Sequence, residues 1–169
     1  TTESAELVLR ISNPNPNTAL TGVGLRDVFP TVPGNMVVAT SLTRTLTGCG
    51  GTATGNSGTV GLLQNAAGAT LAAGANGIRL TNATVAAGGV CEVRIRVSVS
   101  AAGSYLNTTE AVTSGNGGNG QTASAGLTVY APPVLSKQFT PAEVAVNVPS
   151  RLTLSLFNSN TGFPINGIV

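Results

Sequence analysis

The chain has 169 residues, with 8 Lys or Arg, 6 Asp or Glu, no His and no Trp, and its formal net charge is +2. The charged fraction of 8% lies well below the roughly 25% of an ordinary soluble domain, which argues against a nucleic-acid partner. An apolar fraction of 41% is enough for a buried core. The apolar runs are short beside the about 20 residues needed to cross a bilayer, so we expect no membrane insertion.

Alternating apolar and polar residues predict an all-β protein. In the first predicted strand, Leu7, Leu9 and Ile11 occupy every second position, which places them on one face. The remaining strands are predicted at 21–28, 36–47, 58–64, 77–81, 91–100, 103–109 and 122–130. Gly- and Pro-rich turns separate these short strands, a pattern typical of a β-sandwich with antiparallel sheets.

Two segments invite other interpretations. The Ala-rich stretch 66–75 is interspersed with Gly, which disfavours a helix. The stretch 113–120 reads TSGNGGNG and contains no apolar residue, so we expect a hairpin tip or a loop. A phosphate-binding loop is disfavoured there because no helical pattern and no basic residue follow.

The chain contains two cysteines, Cys49 and Cys91. An even pair in a sequence rich in Thr, Asn, Ser and Gly favours a disulfide in an oxidising, extracellular setting. The alternative is two buried free thiols. Two sulfurs without any His cannot complete a tetrahedral metal site, so we expect no metal. The disulfide would close a loop of about 43 residues, and by reducing the entropy of the unfolded chain it would stabilise the fold by about 4 kcal/mol.

Catalytic residues are scarce. General acid–base chemistry usually needs His or paired carboxylates, and the chain has no His and one Asp, Asp27. Its Ser and Thr hydroxyls have no base to activate them, and an extracellular calcium cage would need clustered Asp. We therefore expect no enzymatic activity and no cofactor.

An internal repeat joins the two ends of the chain. Residues 152–169 align without gaps onto 7–24 at an offset of 145 residues. The five identities are Leu7 with Leu152, Leu9 with Leu154, Asn13 with Asn158, Asn15 with Asn160, and Gly22 with Gly167, and apolar Ile11, Leu20 and Val23 match Leu156, Ile165 and Ile168. The alternative is a chance likeness between two Thr/Asn-rich strands.

The chain resembles the Thr/Asn/Gly-rich, immunoglobulin-like tandem repeats of very large bacterial cell-surface proteins. The matching pieces are LRISNPNPNTALTGVGLRDVFP at 9–30, CGG at 49–51 with a second cysteine opening the strand CEVRIRVSV, GSYLNT at 103–108, and PPVLSKQFTPAEVAV at 132–146. The resemblance implies an immunoglobulin-like sandwich and a secreted structural module without catalytic residues.

In such repeats a unit begins at the PPVLSKQFTP segment. The resemblance therefore implies that residues 1–131 hold a unit lacking its opening strand or strands, and that residues 132–169 hold the opening strands of the following unit. A sandwich without an edge strand exposes unpaired backbone groups and an open groove. We expect the tail of one copy, over 134–146 and 152–157, to fill that groove in its neighbour and give head-to-tail assembly, either between separate molecules or along one continuous repeated polypeptide. The alternative is a fragment with arbitrary ends.

The predicted assembly contacts are the apolar residues of the tail, namely Val134, Leu135, Phe139, Val144, Val146, Leu152, Leu154 and Leu156. Lys137, the only lysine, lies among them. It is interpreted either as a residue that keeps an edge strand soluble or as a partner of Asn in an isopeptide crosslink, as in some surface proteins. Asn82 and Asn107 begin N-x-T sequons and are candidate glycosylation sites.

These observations favour a structural subunit of an extracellular filament or stalk at the cell surface, with the chain itself as partner. The alternative function is an adhesive module that binds glycans, ice or a host surface through a Thr/Asn-rich face or through the 113–120 loop. Its signature would be a flat array of Thr side chains, for which TSLTRTLT at 40–47 is the candidate.

Overall fold

The computed structural model describes residues 4–167. Within that range the chain forms thirteen β-strands and no helix, which confirms the prediction of an all-β protein. The strands are β1 (Ala5–Ser12), β2 (Leu20–Val28), β3 (Met36–Val38), β4 (Arg44–Thr47), β5 (Leu62–Asn65), β6 (Gly77–Val85), β7 (Val90–Val99), β8 (Gly103–Thr108), β9 (Thr113–Ser114), β10 (Gly118–Asn119), β11 (Ser124–Val129), β12 (Val134–Thr140) and β13 (Arg151–Phe157). The chain divides into two compact units, Thr1–Thr128 and Val129–Val169.

Two antiparallel sheets make up most of the first unit. In one, β7 pairs with β1 along one edge and with β3 and β4 along the other. In the other, the strand order is β10-β9-β2-β6-β5, and β8 and β11 form a separate pair. The predicted fold class, an all-β sandwich, is thereby confirmed, and the fold is compatible with an immunoglobulin-like domain.

Strand alternation builds the core of this unit. Strand β7 buries Cys91, Val93, Ile95 and Val97, whereas the residues between them are half-buried or exposed. The second sheet buries apolar side chains of β2, β5 and β6, including Val23, Leu63, Ile78, Leu80, Ala83 and Val85. Full burial of one aliphatic side chain of this size contributes about 1.5–3 kcal/mol.

Charged residues line the outer face of β1 and β7. Glu92 lies 3.0 Å from Arg10 and 2.6 Å from Arg94, and Arg94 lies 2.9 Å from Glu6. Hydrogen bonds to Glu92 and then to Glu6 raise the pKa of Arg94 above its usual value. Arg10, Arg94 and Glu6 are 44–68% exposed and Glu92 is 17% exposed. Because each pair has at least one well-exposed partner, these ion pairs add little stability, but they mark this face of β1 as the solvent side.

Three predicted strands differ from the structure. The predicted strand 36–47 is interrupted: β3 and β4 both pair with β7, and residues 39–43 lie between them. The predicted strand 58–64 is reduced to β5, because the Gly58 and Gly61 backbones have φ of 86° and 60°, in the left-handed region. The predicted strand 77–81 extends to residue 85, past an irregularity in its pairing with β2.

Cys49 and Cys91 form a disulfide, as predicted. The bridge lies just beyond the pairing of Thr47 with Glu92, so it joins the end of β4 to the start of β7. Both cysteines are buried. A disulfide is consistent with a non-cytoplasmic location.

The second unit contains a two-stranded antiparallel sheet, β12 with β13. Asn160 extends it, because its side chain accepts a hydrogen bond from the Ala131 N–H and donates one to the Ala131 carbonyl oxygen, at 2.8 and 2.9 Å. Tyr130 and Phe163 pack with ring centroids 4.5 Å apart. The last two positions of the aligned repeat, residues 168–169, lie outside the described range.

Candidate functional site

Strands β1 and β11 of the first unit each have an open edge. Within residues 4–167, β1 hydrogen-bonds to one neighbouring strand, β7, and β11 to one neighbouring strand, β8. The other edge of each strand carries backbone N–H and C=O groups without a strand partner, which is the arrangement that accepts an added strand.

Between β1 and β11 lies an open groove, called here the β1 groove. One part of it has a volume of about 170 Å³ and is lined by Leu7, Leu9 and Ile11 of β1 together with Asn107 and Ala125. The other part, of about 100 Å³, shares Leu7, Asn107 and Ala125 as walls. The groove is therefore mainly apolar, with an amide group in its wall.

That amide belongs to a buried polar pair. Asn107 Nδ2 donates a 2.8 Å hydrogen bond to Oδ2 of Asp27, and the two residues are 6% and 0% exposed. Among the described atoms, Oδ1 of each side chain has no hydrogen-bond partner. Burial raises the pKa of the Asp27 carboxyl above its ordinary value of 3.8, and the hydrogen bond from Asn107 lowers it by less. The pair is thus an incompletely satisfied polar group beside an open groove.

Strands β12 and β13 present an apolar face. Leu135 lies opposite Leu156, Lys137 opposite Leu154, and Phe139 opposite Leu152. Residues directly opposite in an antiparallel pair share a face. The five apolar members of this set are each 45–65% exposed. We call this set of six side chains the hairpin face.

Of the remaining predicted assembly residues, Val134 lies on the other face of β12, opposite Phe157, and Val144 and Val146 lie between β12 and β13. All three are exposed. Lys137 Nζ lies 5.9 Å from the centre of the Phe139 ring, on the hairpin face. The role of all these residues in assembly remains a prediction.

The two halves of the internal repeat make the same local hydrogen bonds. Nδ2 of Asn13 donates to the carbonyl oxygen five residues ahead at 2.8 Å, and its Oδ1 accepts from the backbone N–H and Nδ2 of Asn15 at 3.0 and 2.9 Å. Asn158 makes the corresponding bonds at 2.7 Å and, with Asn160, at 3.0 and 2.9 Å. The 145-residue offset therefore relates equivalent positions in the backbone as well as in the sequence.

The candidate glycosylation residues occupy different environments. Asn82 is exposed, and its side-chain amide donates a 2.7 Å hydrogen bond to the Thr59 carbonyl oxygen. Asn107 is buried against Asp27, so a glycan on it would require this pair to separate. Glycosylation at either position remains a prediction.

Two other predicted features can be placed. The stretch 113–120 forms the short hairpin of β9 and β10. Asn116 anchors this hairpin: its Oδ1 accepts a hydrogen bond from the Thr21 N–H at 3.0 Å, and its Nδ2 donates one to the Ala19 carbonyl oxygen at 2.9 Å.

The Thr-rich stretch 40–47 is a strand only over Arg44–Thr47. It therefore does not present the eight-residue flat array that the adhesive alternative would use.

Sequence reasoning missed the pairing of Asp27 with Asn107. The signal was present, because Asp27 follows Val23 and Leu25 at every second position, on the inward phase of a predicted strand. A carboxylate at such a position is costly unless it has a buried partner. The partner could not be identified, because the chain contains many Asn residues.

Neither a metal centre nor a membrane helix is found in the described part of the chain. Residues 4–167 contain no group of three or more His, Cys, Asp or Glu side chains placed to hold a metal ion. The same range has no helix long and apolar enough to cross a membrane.

Residues 1–129 match the family model described as "Domain of unknown function (DUF7933)". The chain belongs to this family. No curated protein matches the chain. The DUF7933 match includes the disulfide and the β1 groove, and it ends before β12 and β13.

Proposed function

We propose that this protein is a structural subunit of an extracellular filament or stalk, assembled head-to-tail by β-strand complementation. In this assembly, strand β12 of one copy adds to the open edge of β1 in the next copy, and its apolar side chains cover the β1 groove. The single observation that carries the proposal is that β12 already pairs with β13, the strand that corresponds to β1 in the internal repeat.

The hairpin face supports the donor role of β12. A two-stranded sheet is marginally stable by itself and needs an apolar face covered by other structure. Here five apolar side chains of the two strands lie on one face and are about half exposed, whereas Val134 and Phe157 are the apolar residues of the other face. Contiguous exposed apolar residues of this kind are typical of interaction surfaces.

The β1 groove supports the acceptor role. Its β1 wall is formed by Leu7, Leu9 and Ile11, the residues that align with Leu152, Leu154 and Leu156 on the hairpin face. A strand placed along β1 would bond to the open backbone edge and bury apolar side chains together, which are the two contributions that strand addition uses.

The repeat also predicts the register of this pairing. Transferring the pairing of β12 with β13 by the 145-residue offset places Leu135 opposite Ile11, Lys137 opposite Leu9, and Phe139 opposite Leu7. A shift of one residue would turn the apolar side chains of β12 to solvent, so registers shifted by an odd number of residues are disfavoured. In it, all three donor side chains point toward the groove.

One chain carries both a donor strand and an acceptor edge. The contact is therefore heterologous, and a heterologous contact that does not close on itself produces a filament. The extracellular setting is supported by the Cys49–Cys91 disulfide, which is maintained in oxidising compartments, and by the resemblance to cell-surface repeats.

The test compares variants of the full chain by light scattering and electron microscopy over a range of concentrations. Leu135→Asp and Phe139→Asp change the apolar face of β12, whereas Ser136→Asp and Gln138→Asp place the same charge on its other face. We expect filaments from the wild type and from the two controls, and monomers from the first two variants. A peptide spanning residues 132–142 should block assembly of the wild type.

A wild-type chain that stays monomeric at all concentrations would overturn the proposal. Equal assembly by all four variants would also overturn it, because the contact would then not involve the apolar face of β12. Glycan binding by a monomeric chain would point instead to an adhesive module.

A further inference from the structure

The wall of the β1 groove holds the amide of Asn107, which bonds to the carboxyl group of Asp27. In the predicted register, an added β12 strand would bring an amine to this pair. We infer that Lys137 of one copy forms a covalent amide bond with Asn107 of the next copy, with Asp27 as the catalytic acid and base. This inference rests on the proposed assembly, because in the described chain Lys137 and Asn107 belong to different units.

The placement of Lys137 follows from the register. Lys137 is paired with Leu154, whose counterpart in the first unit is Leu9. Leu9 is buried and lines the same cavity as Asn107. An added β12 strand would therefore direct its lysine into the cavity whose wall holds the Asn107 amide. That cavity has a volume of about 170 Å³. A void of about 150 Å³ is large enough to admit a benzene molecule.

The lysine would be anomalous without such a partner. On the hairpin face it is the one charged residue among five apolar ones, and burying an unpaired ammonium is strongly unfavourable. Conversion to a neutral amide removes that charge. An amine moved from water into an apolar site also loses the solvation that favours its charged form, which prepares it as a nucleophile.

Asp27 is placed to transfer protons. It accepts a hydrogen bond from Asn107 Nδ2, the nitrogen that must leave, so it contacts a reacting atom. Burial raises its pKa, which increases the protonated share of the carboxyl and lets it act as an acid. The Oδ1 atoms of both side chains have no partner among the described atoms and are free to accept or relay a proton.

The reaction is balanced without an oxidant or a cofactor. The neutral Lys137 Nζ attacks Cγ of Asn107, and the carbonyl electron pair moves to Oδ1, where the Asp27 proton stabilises it. The Cγ–Nδ2 bond then breaks, Nδ2 takes up the proton that Nζ loses by way of Asp27, and ammonia leaves. An amine and a primary amide give a secondary amide and ammonia, with a mass loss of about 17 Da per bond.

Mass spectrometry of the full chain tests the inference, with light scattering on the same samples to record assembly. From the wild type we expect multimers that survive boiling in detergent and reductant, a loss of about 17 Da per junction, and a linked peptide pair containing Lys137 and Asn107. Lys137→Arg, Asn107→Ala and Asp27→Asn should each abolish the covalent multimers. Their thermal unfolding shows whether the first unit is still folded.

A positional control separates this chemistry from general lysine reactivity. In the double variant Lys137→Arg with Gln138→Lys, the lysine moves one position along β12 to the other face, and no covalent multimer should form. Covalent multimers from this variant would overturn the inference.

The two proposals fail differently. Assembly of the wild type without any mass loss would overturn the amide bond and leave strand complementation intact. Absence of assembly would overturn both. A 17 Da loss in monomers would overturn the bond between copies, because it would place the crosslink within one chain.

Discussion

Tyr105 bonds to Ala101, four residues earlier, through a 2.7 Å hydrogen bond from its hydroxyl to the carbonyl oxygen. The Tyr105 ring is buried and lies in β8, two positions before Asn107. A tyrosine hydroxyl that returns to the backbone a few residues upstream is a recurrent feature of immunoglobulin-type sandwiches. It fixes the start of the strand that carries the groove amide.

Tyr105→Phe should lower the free energy of unfolding by about 1 kcal/mol, the usual net contribution of a hydrogen bond. The ring stays in the core, so the loss comes from the unpaired carbonyl oxygen. Tyr130→Phe is the matched control, because Tyr130 lies in the second unit and is exposed. Urea unfolding followed by circular dichroism measures both, and equal stability of Tyr105→Phe and wild type would contradict this role.

Asn13→Ala should destabilise the first unit by about 1–3 kcal/mol. The Asn13 side chain is 2% exposed and donates to three backbone carbonyl oxygens, those of Thr18, Val85 and Ala86. Asn158→Ala removes the equivalent residue from the exposed second unit. We expect no change in the main unfolding transition of that variant, and similar effects of the two substitutions would argue that Asn13 has no special structural role.

Replacing both Cys49 and Cys91 with Ala should lower the free energy of unfolding by about 4 kcal/mol, because the disulfide restricts the loop between the two cysteines in the unfolded chain. Reduction of the wild type should have a comparable effect on the unfolding midpoint. Differential scanning calorimetry, with and without reductant, measures it. A reductant effect on the double variant would show that reduction acts elsewhere.

Asp27→Asn should stabilise the first unit at neutral pH relative to wild type. The folded-state pKa of Asp27 is raised above 3.8. The stability that the protonated carboxyl gives to the folded state is therefore complete below pH 3.8 and is lost as the pH rises through the folded-state pKa. The gain from the substitution should therefore be larger at pH 7 than at pH 3, by about 1.4 kcal/mol per unit of pKa difference. Unfolding measured at both pH values checks this, and a gain that shrinks with rising pH would contradict it.

The register of the proposed junction can be trapped with cysteines on the solvent side. Gln138 pairs with Thr153, whose counterpart is Val8, so a Val8→Cys and Gln138→Cys chain should form disulfide-linked multimers under mild oxidation. In the control, Val8→Cys with Ser136→Cys, the second cysteine lies two positions out of register, beyond the about 7 Å that a disulfide spans between Cα atoms. Faster linking in the control would show a different register.

The local sequence pattern was sufficient to predict the structure wherever a residue's environment follows from its neighbours in the sequence. The alternation in β1 and β7 identified their buried faces, and Cys49 with Cys91 was the only pairing that two cysteines allow. The pattern failed over 36–47, because β3 and β4 pair with adjoining stretches of β7 while residues 39–43 lie between them, a break that alternation does not mark. It failed over 58–64 because Gly backbones there adopt positive φ.

The candidate site was predicted in part. The tail residues and Lys137 were identified from the repeat, since a tandem unit leaves its period in the sequence. The groove and the Asp27–Asn107 pair were not, because they depend on which of many Asn side chains is brought against the single Asp.

Alternation, cysteine number and repetition are properties of the chain order, so they were enough to predict the all-β class, the disulfide and the 145-residue equivalence of β1 and β13. The open edge of β1 beside a groove, and the meeting of Asn107 with Asp27 in the groove wall, could be found only in the folded chain. The reason is physical: edge pairing and burial depend on contacts between residues far apart in the chain, and Asp27 and Asn107 are separated by 80 positions.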